Sequence, residues 1–197
     1  MVCGIDEAGR GPLAGPVCAS AVIFNEDFPL DLLNDSKKLT SARRDEARLI
    51  ILEKSLSWGI GWVSHTEIDE INILQASLLA MKRAFNDMIK RAKEQSLLLG
   101  DIKVIVDGKF IPDISIEHDC SGKIEQCIAM VKADAQVPQV MAASILAKTE
   151  RDAYMDKMAQ LYPLYGYERH KGYPTKAHRE AVLKHGPSPI QRLTFKY

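Results

Sequence analysis

Residues 2–24 read Val2-Cys3-Gly4-Ile5-Asp6-Glu7-Ala8-Gly9-Arg10-Gly11-Pro12-Leu13-Ala14-Gly15-Pro16-Val17-Cys18-Ala19-Ser20-Ala21-Val22-Ile23-Phe24. Two apolar stretches, 2–7 and 17–24, flank a run rich in glycine and proline, so the pattern predicts two strands joined by the loop Gly9–Pro16. Working outward, Ala47, Ile50, Ile51 and the Lys54 stem recur at helical spacing within Ser41–Lys54. Trp58–Val63 reads as a strand, and 66–94 as one or two helices. Lys103–Val106 reads as a buried strand ending at Asp107-Gly108, and Ile114–Glu117 as a short one. A long helix is expected from about Ala135 to Leu161, with Pro138 in its first turn, where a missing N–H costs little. Pro163 and Gly166 then break the pattern before a last helix, Thr175–His185. Strands gather in the first 120 residues and helices dominate the rest, which predicts an α/β sheet layer with a helical C-terminal region packed on it.

The chain has 197 residues, 46% hydrophobic and 26% charged, which suits an ordinary globular domain and excludes a disordered or collagenous one. Its longest apolar runs, such as Leu49–Leu52, fall far short of the roughly 20 residues of a membrane-spanning helix. Asp6, Glu7 and Arg10 occupy the place of a signal peptide's apolar stretch, and Cys3, Cys18, Cys120 and Cys127 form no C-x-x-C pair. A reduced, cytoplasmic protein with no membrane partner is expected. The 26 basic and 26 acidic residues cancel, which rules out binding of nucleic acid by bulk positive charge. They are unevenly placed: residues 148–197 hold ten basic and five acidic residues, a net +5, leaving −5 on the first 147. Such a chain suits cations in one place and phosphates in another.

Asp6 and Glu7 close one predicted strand, Asp107 closes another, and Asp134 stands at the entry to the long helix. Ligands bind where strands end, and carboxylates gathered there repel one another unless cations neutralise them. Hard divalent cations prefer a few carboxylates together with waters and phosphate oxygens. Alternation along a strand would send Asp6 and Glu7 to opposite faces, so a shared site requires β-structure to end or bulge between Gly4 and Gly9. The same residues also suit other local roles: Asp134 a helix cap, Asp107-Gly108 a turn.

Gly4 to Pro16 taken as a whole resembles the opening signature of type 2 ribonuclease H (ribonuclease HII). Further segments resemble that family in the same order: Asp35-Ser36-Lys37-Lys38-Leu39, Val106-Asp107-Gly108, Lys132-Ala133-Asp134, Ala142–Lys148, His170–Thr175 and Gly186–Ile190. The resemblance implies a ribonuclease H-like mixed β-sheet flanked by helices, with a catalytic domain over 1–160. It implies a helical region over 161–197 that contributes to substrate binding. It also implies an endonuclease that hydrolyses the RNA strand of RNA–DNA hybrids and incises at ribonucleotides embedded in duplex DNA, leaving 3′-hydroxyl and 5′-phosphate ends. Asp6, Glu7, Asp107 and Asp134 would be the catalytic carboxylates, holding two Mg²⁺ or Mn²⁺ ions. Gly9, Arg10 and Gly11 would contact the ribonucleotide beside the cut, Tyr173 the following sugar, and Lys37 and Lys148 the backbone.

The glycines suit that role because backbone groups must come close to test for a 2′-hydroxyl, the group that separates ribose from deoxyribose. Lys171, Lys176, Arg179 and Lys184 suit either phosphates or a solvated helix face. Trp58 and Trp62 are expected in the core, His65 and His118 at surfaces or caps, and Asp152 beside a basic neighbour. Ribonuclease HIII would carry a further N-terminal binding domain, for which a first carboxylate at Asp6 leaves no room. A junction resolvase or transposase-like nuclease would not need Gly9–Gly11 and Tyr173, and a binding module would not need four carboxylates. A monomer is expected.

Overall fold

A computed structural model describes residues 1–33, 40–116 and 122–196. Five strands, β1 (Val2–Ala8), β2 (Val17–Ile23), β3 (Ser57–Val63), β4 (Ile102–Asp107) and β5 (Ile124–Met130), form one sheet in the order β3-β2-β1-β4-β5. β1 pairs antiparallel with β2 and parallel with β4; β3 and β5 extend the sheet antiparallel and parallel respectively. The helices are α1 (Ser41–Lys54), α2 (His65–Glu94), α3 (Pro138–Leu161), the single turn α4 (Tyr167–His170) and α5 (Lys176–His185). None is long and apolar enough to cross a membrane, among the described residues.

α2 covers one face of the sheet, burying Cys3, Ile5, Ala19, Val104 and Val106 against Ala80, Ala84, Phe85 and Met88. α1 and α3 cover the other, where Val22, Ile51, Ala142 and Leu146 meet. β3 alternates strictly, with Gly59 and Gly61 on the α2 face. A Cβ on Gly61 would lie 2.0 Å from the Ala80 carbonyl oxygen, and one on Gly59 2.1 Å from that of Ala84. These glycines set how closely α2 packs. Trp58 and Trp62 point the other way and are half-buried: the Arg91 guanidinium lies 3.8 Å from the Trp58 ring centre, and Trp62 packs on Tyr154.

Most predicted elements form where expected, with physical reasons for the exceptions. The stretch 66–94 is two helices meeting at Asn72 (φ 68°, ψ 163°), whose side chain accepts from the N–H groups of Leu74 and Gln75 and so caps the second. Residues 114–116 form no strand; Ile114 and Ile116 pack on the core as side chains without joining the ladder, and Glu117 lies outside the described residues. The outermost strand beside β4 is instead β5, whose Glu125 and Gln126 are exposed, so strands are not confined to the first 120 residues. α3 begins at Pro138 with Val137 as its N-cap; Asp134 sits earlier, in a 3-10 turn (Ala133–Ala135), and does not cap the helix. Asp107-Gly108 closes no hairpin, because β4 and β5 run parallel.

Gly61→Val forces a side chain into the α2 backbone. It is expected to cost about 3 kcal/mol or more; a denaturant melt with an unchanged midpoint would contradict this packing.

Candidate active site

The parallel register of β1 and β4 pairs Gly4 with Ile105 and Ile5 with Val106, so the next residues, Asp6 and Asp107, come level on neighbouring strands. Both leave the α3 face, because Ile5 and Val106 fill the α2 face and side chains alternate. β1 does not bulge here. Its pairing with β2 runs unbroken through Ala8, which overturns the expectation that the strand must break to bring Asp6 and Glu7 together. The sheet itself provides the alternative. β4 ends at Asp107, so Glu7 lies beyond its neighbour's end, where its longer side chain feels both Asp6 and Asp107.

Asp6 is buried, and its Oδ1 accepts from the Glu7 N–H at 2.7 Å. Burial, then the Glu7 charge, raises its pKa well above the usual aspartate range, a shift that a hydrogen bond from Ser144 offsets only in part. Burial likewise raises Glu7, against the opposing charge of Arg10, whose Nη1 lies 3.2 Å from Oε1. Glu7 Oε2 is buried with no hydrogen-bond partner among the described residues. Asp107 Oδ1 accepts from the Ala133 N–H at 2.7 Å, tying the end of β4 to the turn that carries the buried Asp134.

Among the described residues no three His, Cys, Asp or Glu side chains close around one point. The arrangement is an open acidic edge, with Asp6, Glu7 and Asp107 in electrostatic reach of one another and Asp134 joined through the backbone of Ala133. All the donors are carboxylate oxygens, and one of them is buried without a partner. That set fits a hard divalent cation, which takes few protein ligands and completes its shell with water and phosphate.

Beside this edge a cleft of about 390 Å³ is lined by Glu7, Gly9, Arg10, Gly11, Arg44, Ser144, Lys148 and Tyr173. Gly9 has φ 100°, and a Cβ there would lie 2.1 Å from the Arg151 Nε, so only glycine fits. Tyr173 is 40% exposed, and its ring would lie 3.6 Å from a Cβ on Gly11. Lys148 Nζ lies 5.9 Å from the Tyr173 ring centre and 2.7 Å from Asp152, the neighbour expected from sequence. Lys37 and His118 lie outside the described residues. Of the other basic candidates, Lys171 pairs with Asp156 and Lys176 with Glu180.

Sequence reading did not single out Ser144 or Arg44. Ser144 precedes Lys148 by one helical turn, the spacing that aims both at one cleft; Arg44 reaches it from α1 and carries no local signal.

A family model described as Ribonuclease HII matches residues 3–197. The chain belongs to the ribonuclease HII family. A curated Ribonuclease HII of Treponema denticola is 53% identical over 200 residues, covering 99% of this chain and 98% of that protein. In the structure of the PCNA:RNase HII complex from Archaeoglobus fulgidus, a chain 25% identical aligns with a TM-score of 0.72 over 100% of this chain and 96% of its own length. The structure of Bst-RNase HIII in complex with Mn²⁺ aligns with a TM-score of 0.76 at 17% identity, over 98% of this chain and 66% of that one; this likeness is one of fold. Ribonuclease HII membership makes the chain an endonuclease, a phosphodiester hydrolase of ribonuclease H type acting on RNA–DNA. Its mixed sheet flanked by helices is the ribonuclease H-like fold.

Because the folded chain holds a proton on Asp6 more tightly than an exposed aspartate does, the contribution of Asp6 to stability is fully present at low pH and is lost as pH rises from about 4 through the raised value. Asp6→Asn is therefore expected to melt higher than the parent at alkaline pH in chelator, with a flatter pH profile. A lower midpoint than the parent's across the range would contradict the buried-charge assignment.

Proposed function

We propose that the chain hydrolyses the RNA strand of RNA–DNA hybrids and incises at single ribonucleotides embedded in duplex DNA, leaving 3′-hydroxyl and 5′-phosphate ends. The observation that carries this reading is the pair Asp6 and Asp107, level on adjacent strand ends, with Glu7 alongside and a cleft of glycine backbone and Tyr173 next to them. Asp6, Glu7, Asp107 and Asp134 would hold two divalent cations, Mg²⁺ or Mn²⁺. Bound there, these supply acidity for an attacking water and positive charge for the departing 3′ oxygen.

The chain's own groups do the rest. Burial of Asp6 and Glu7 gives their charged forms a high free energy that a cation relieves, so the carboxylates are poised to bind one. Gly9 and Gly11 let the backbone reach a ribose closely enough to test for its 2′-hydroxyl, while the exposed ring of Tyr173 offers a flat surface to the next sugar. Lys148 stands at the cleft, where it would meet the substrate backbone, and Lys37 is given a backbone-binding role from its sequence alone. Arg10 both restrains Glu7 and offers a guanidinium to phosphate. The C-terminal region, residues 161–197, contributes Tyr173 to a catalytic unit spanning 1–160. On this reading the enzyme is cytoplasmic and acts as a monomer.

The direct experiment is cleavage of a duplex bearing one ribonucleotide beside an all-DNA duplex, in Mg²⁺, Mn²⁺ or chelator, with both new ends mapped. Cutting of the all-DNA duplex would instead favour a resolvase-like nuclease. Asp107→Asn and Asp134→Asn are each expected to lose about 10³-fold or more in rate while still binding hybrid; full activity in both would remove the assignment. Tyr173→Ala should lose more activity at an embedded ribonucleotide than on a long hybrid, and equal losses would remove the junction role of the ring.

A further inference from the structure

Two arginines are almost wholly buried, Arg151 at 1% and Arg192 at 0% exposure, and every hydrogen bond found for their guanidinium groups goes to a backbone carbonyl. Arg192 stands five residues before Tyr197, yet its side chain reaches under the loop that follows β1. Its Nη2 donates to the Gly9 carbonyl at 2.6 Å, and its Nη1 to those of Arg10 and Pro12 at 3.1 and 2.8 Å. Its Nε donates to Gly15 at 2.9 Å. The backbone around it is already zipped to the same loop: Arg192 N–H donates to Leu13, Gly15 N–H to Ile190, and Ala14 bridges Gln191. The tail is then pinned to α2, where Asp69 accepts from the Leu193 and Thr194 N–H groups. Attachment of the tail therefore does not need the guanidinium, whose fork does something further.

Every peptide bond in the loop is trans, so each carbonyl points opposite to the N–H that follows it. With the Gly9 and Arg10 carbonyls drawn inward to Arg192, the N–H groups of Arg10 and Gly11 turn outward. Both residues are exposed and line the cleft, and neither N–H has an intramolecular partner among the described residues. Two successive outward N–H groups above a buried cation make a concave donor surface for an oxygen ligand. We propose that Arg192 is a positioning residue for substrate selection, aiming the Arg10 and Gly11 N–H groups at the 2′-hydroxyl oxygen of the scissile ribonucleotide. The inference rests on the ribonucleotide reading above and adds the group that sets the loop's shape.

Arginine is needed because four carbonyls in fixed directions call for a planar set of donors, which an ammonium on a flexible stem cannot match. Burial and the neighbouring Arg151 charge push the Arg192 guanidinium down to about 9, still protonated at neutral pH.

The test is binding, measured in an Asp107→Asn background with Mg²⁺, to a duplex containing one ribonucleotide and to the same duplex made wholly of DNA. Adding Arg192→Lys is expected to lower the preference for the ribonucleotide about tenfold, the worth of one or two hydrogen bonds, and to leave all-DNA affinity nearly unchanged. A preference left intact, or an equal loss on both duplexes, overturns the role of Arg192 alone. An Asp107→Asn parent with no preference removes the ribonucleotide reading, and this inference falls with it. Should a thermal melt show Arg192→Lys to be unfolded, residue-resolved amide exchange on the Asp107→Asn protein that keeps Arg192 decides. The Arg10 and Gly11 amides should be protected by the ribonucleotide duplex and far less by the all-DNA one, and equal protection overturns the proposal.

Discussion

The parallel pairing of β1 with β4 is the constraint from which the site follows. Ile5 beside Val106 commits one face of both strands to the apolar layer under α2. The next residue on each strand must then leave the opposite face, and on both strands it is an aspartate. A slip of one residue in this register would send a carboxylate into the α2 core and an isoleucine or valine into the cleft, at a cost in burial far larger than any gain. The acidic edge is therefore held in place by the hydrophobic residues behind it, not by attraction among its own members, which repel.

α3 is the second organising element, because a single helix serves the cleft, the loop and the C-terminal region. Ser144 and Lys148 face the cleft, and Arg151, less than a turn further on, lies under the Gly9–Pro16 loop. Met155 and Ala159 then enter a small core with Tyr165, Tyr167, Val182 and Ile190. At its start the helix lies against β1, where a Cβ on Gly4 would be 2.2 Å from the Gln139 carbonyl carbon. Fixed on the sheet at one end and on the C-terminal region at the other, α3 holds the carboxylates and Tyr173 in one frame. The loop after β1 has glycine at its critical positions, and Leu13 and Ala14 anchor its middle in the protein interior. Its shape is imposed from outside by two buried guanidinium groups and a strip of tail.

The sequence by itself determined the elements whose signals are local. Apolar runs and glycine-proline punctuation marked β1, β2 and the loop between them; residue patterns marked α1 and the long helix with Pro138 in its first turn; and residue types at strand ends marked Asp6, Glu7 and Asp107. Only the tertiary structure decided the features that depend on distant partners. β5 is a strand because β4 offers it an edge, although Glu125 and Gln126 weaken its pattern; with β5 on that edge, Ile114 and Ile116 pack on the core as side chains instead. Glu7 joins the site without any bulge because β4 stops one residue short of it, a fact about a chain segment a hundred residues away. Arg192 likewise looks like an ordinary basic residue near the end of a basic tail until folding buries it. Register, burial of charge and the direction of a carbonyl are set by what packs alongside, and no window of neighbouring residues contains that information.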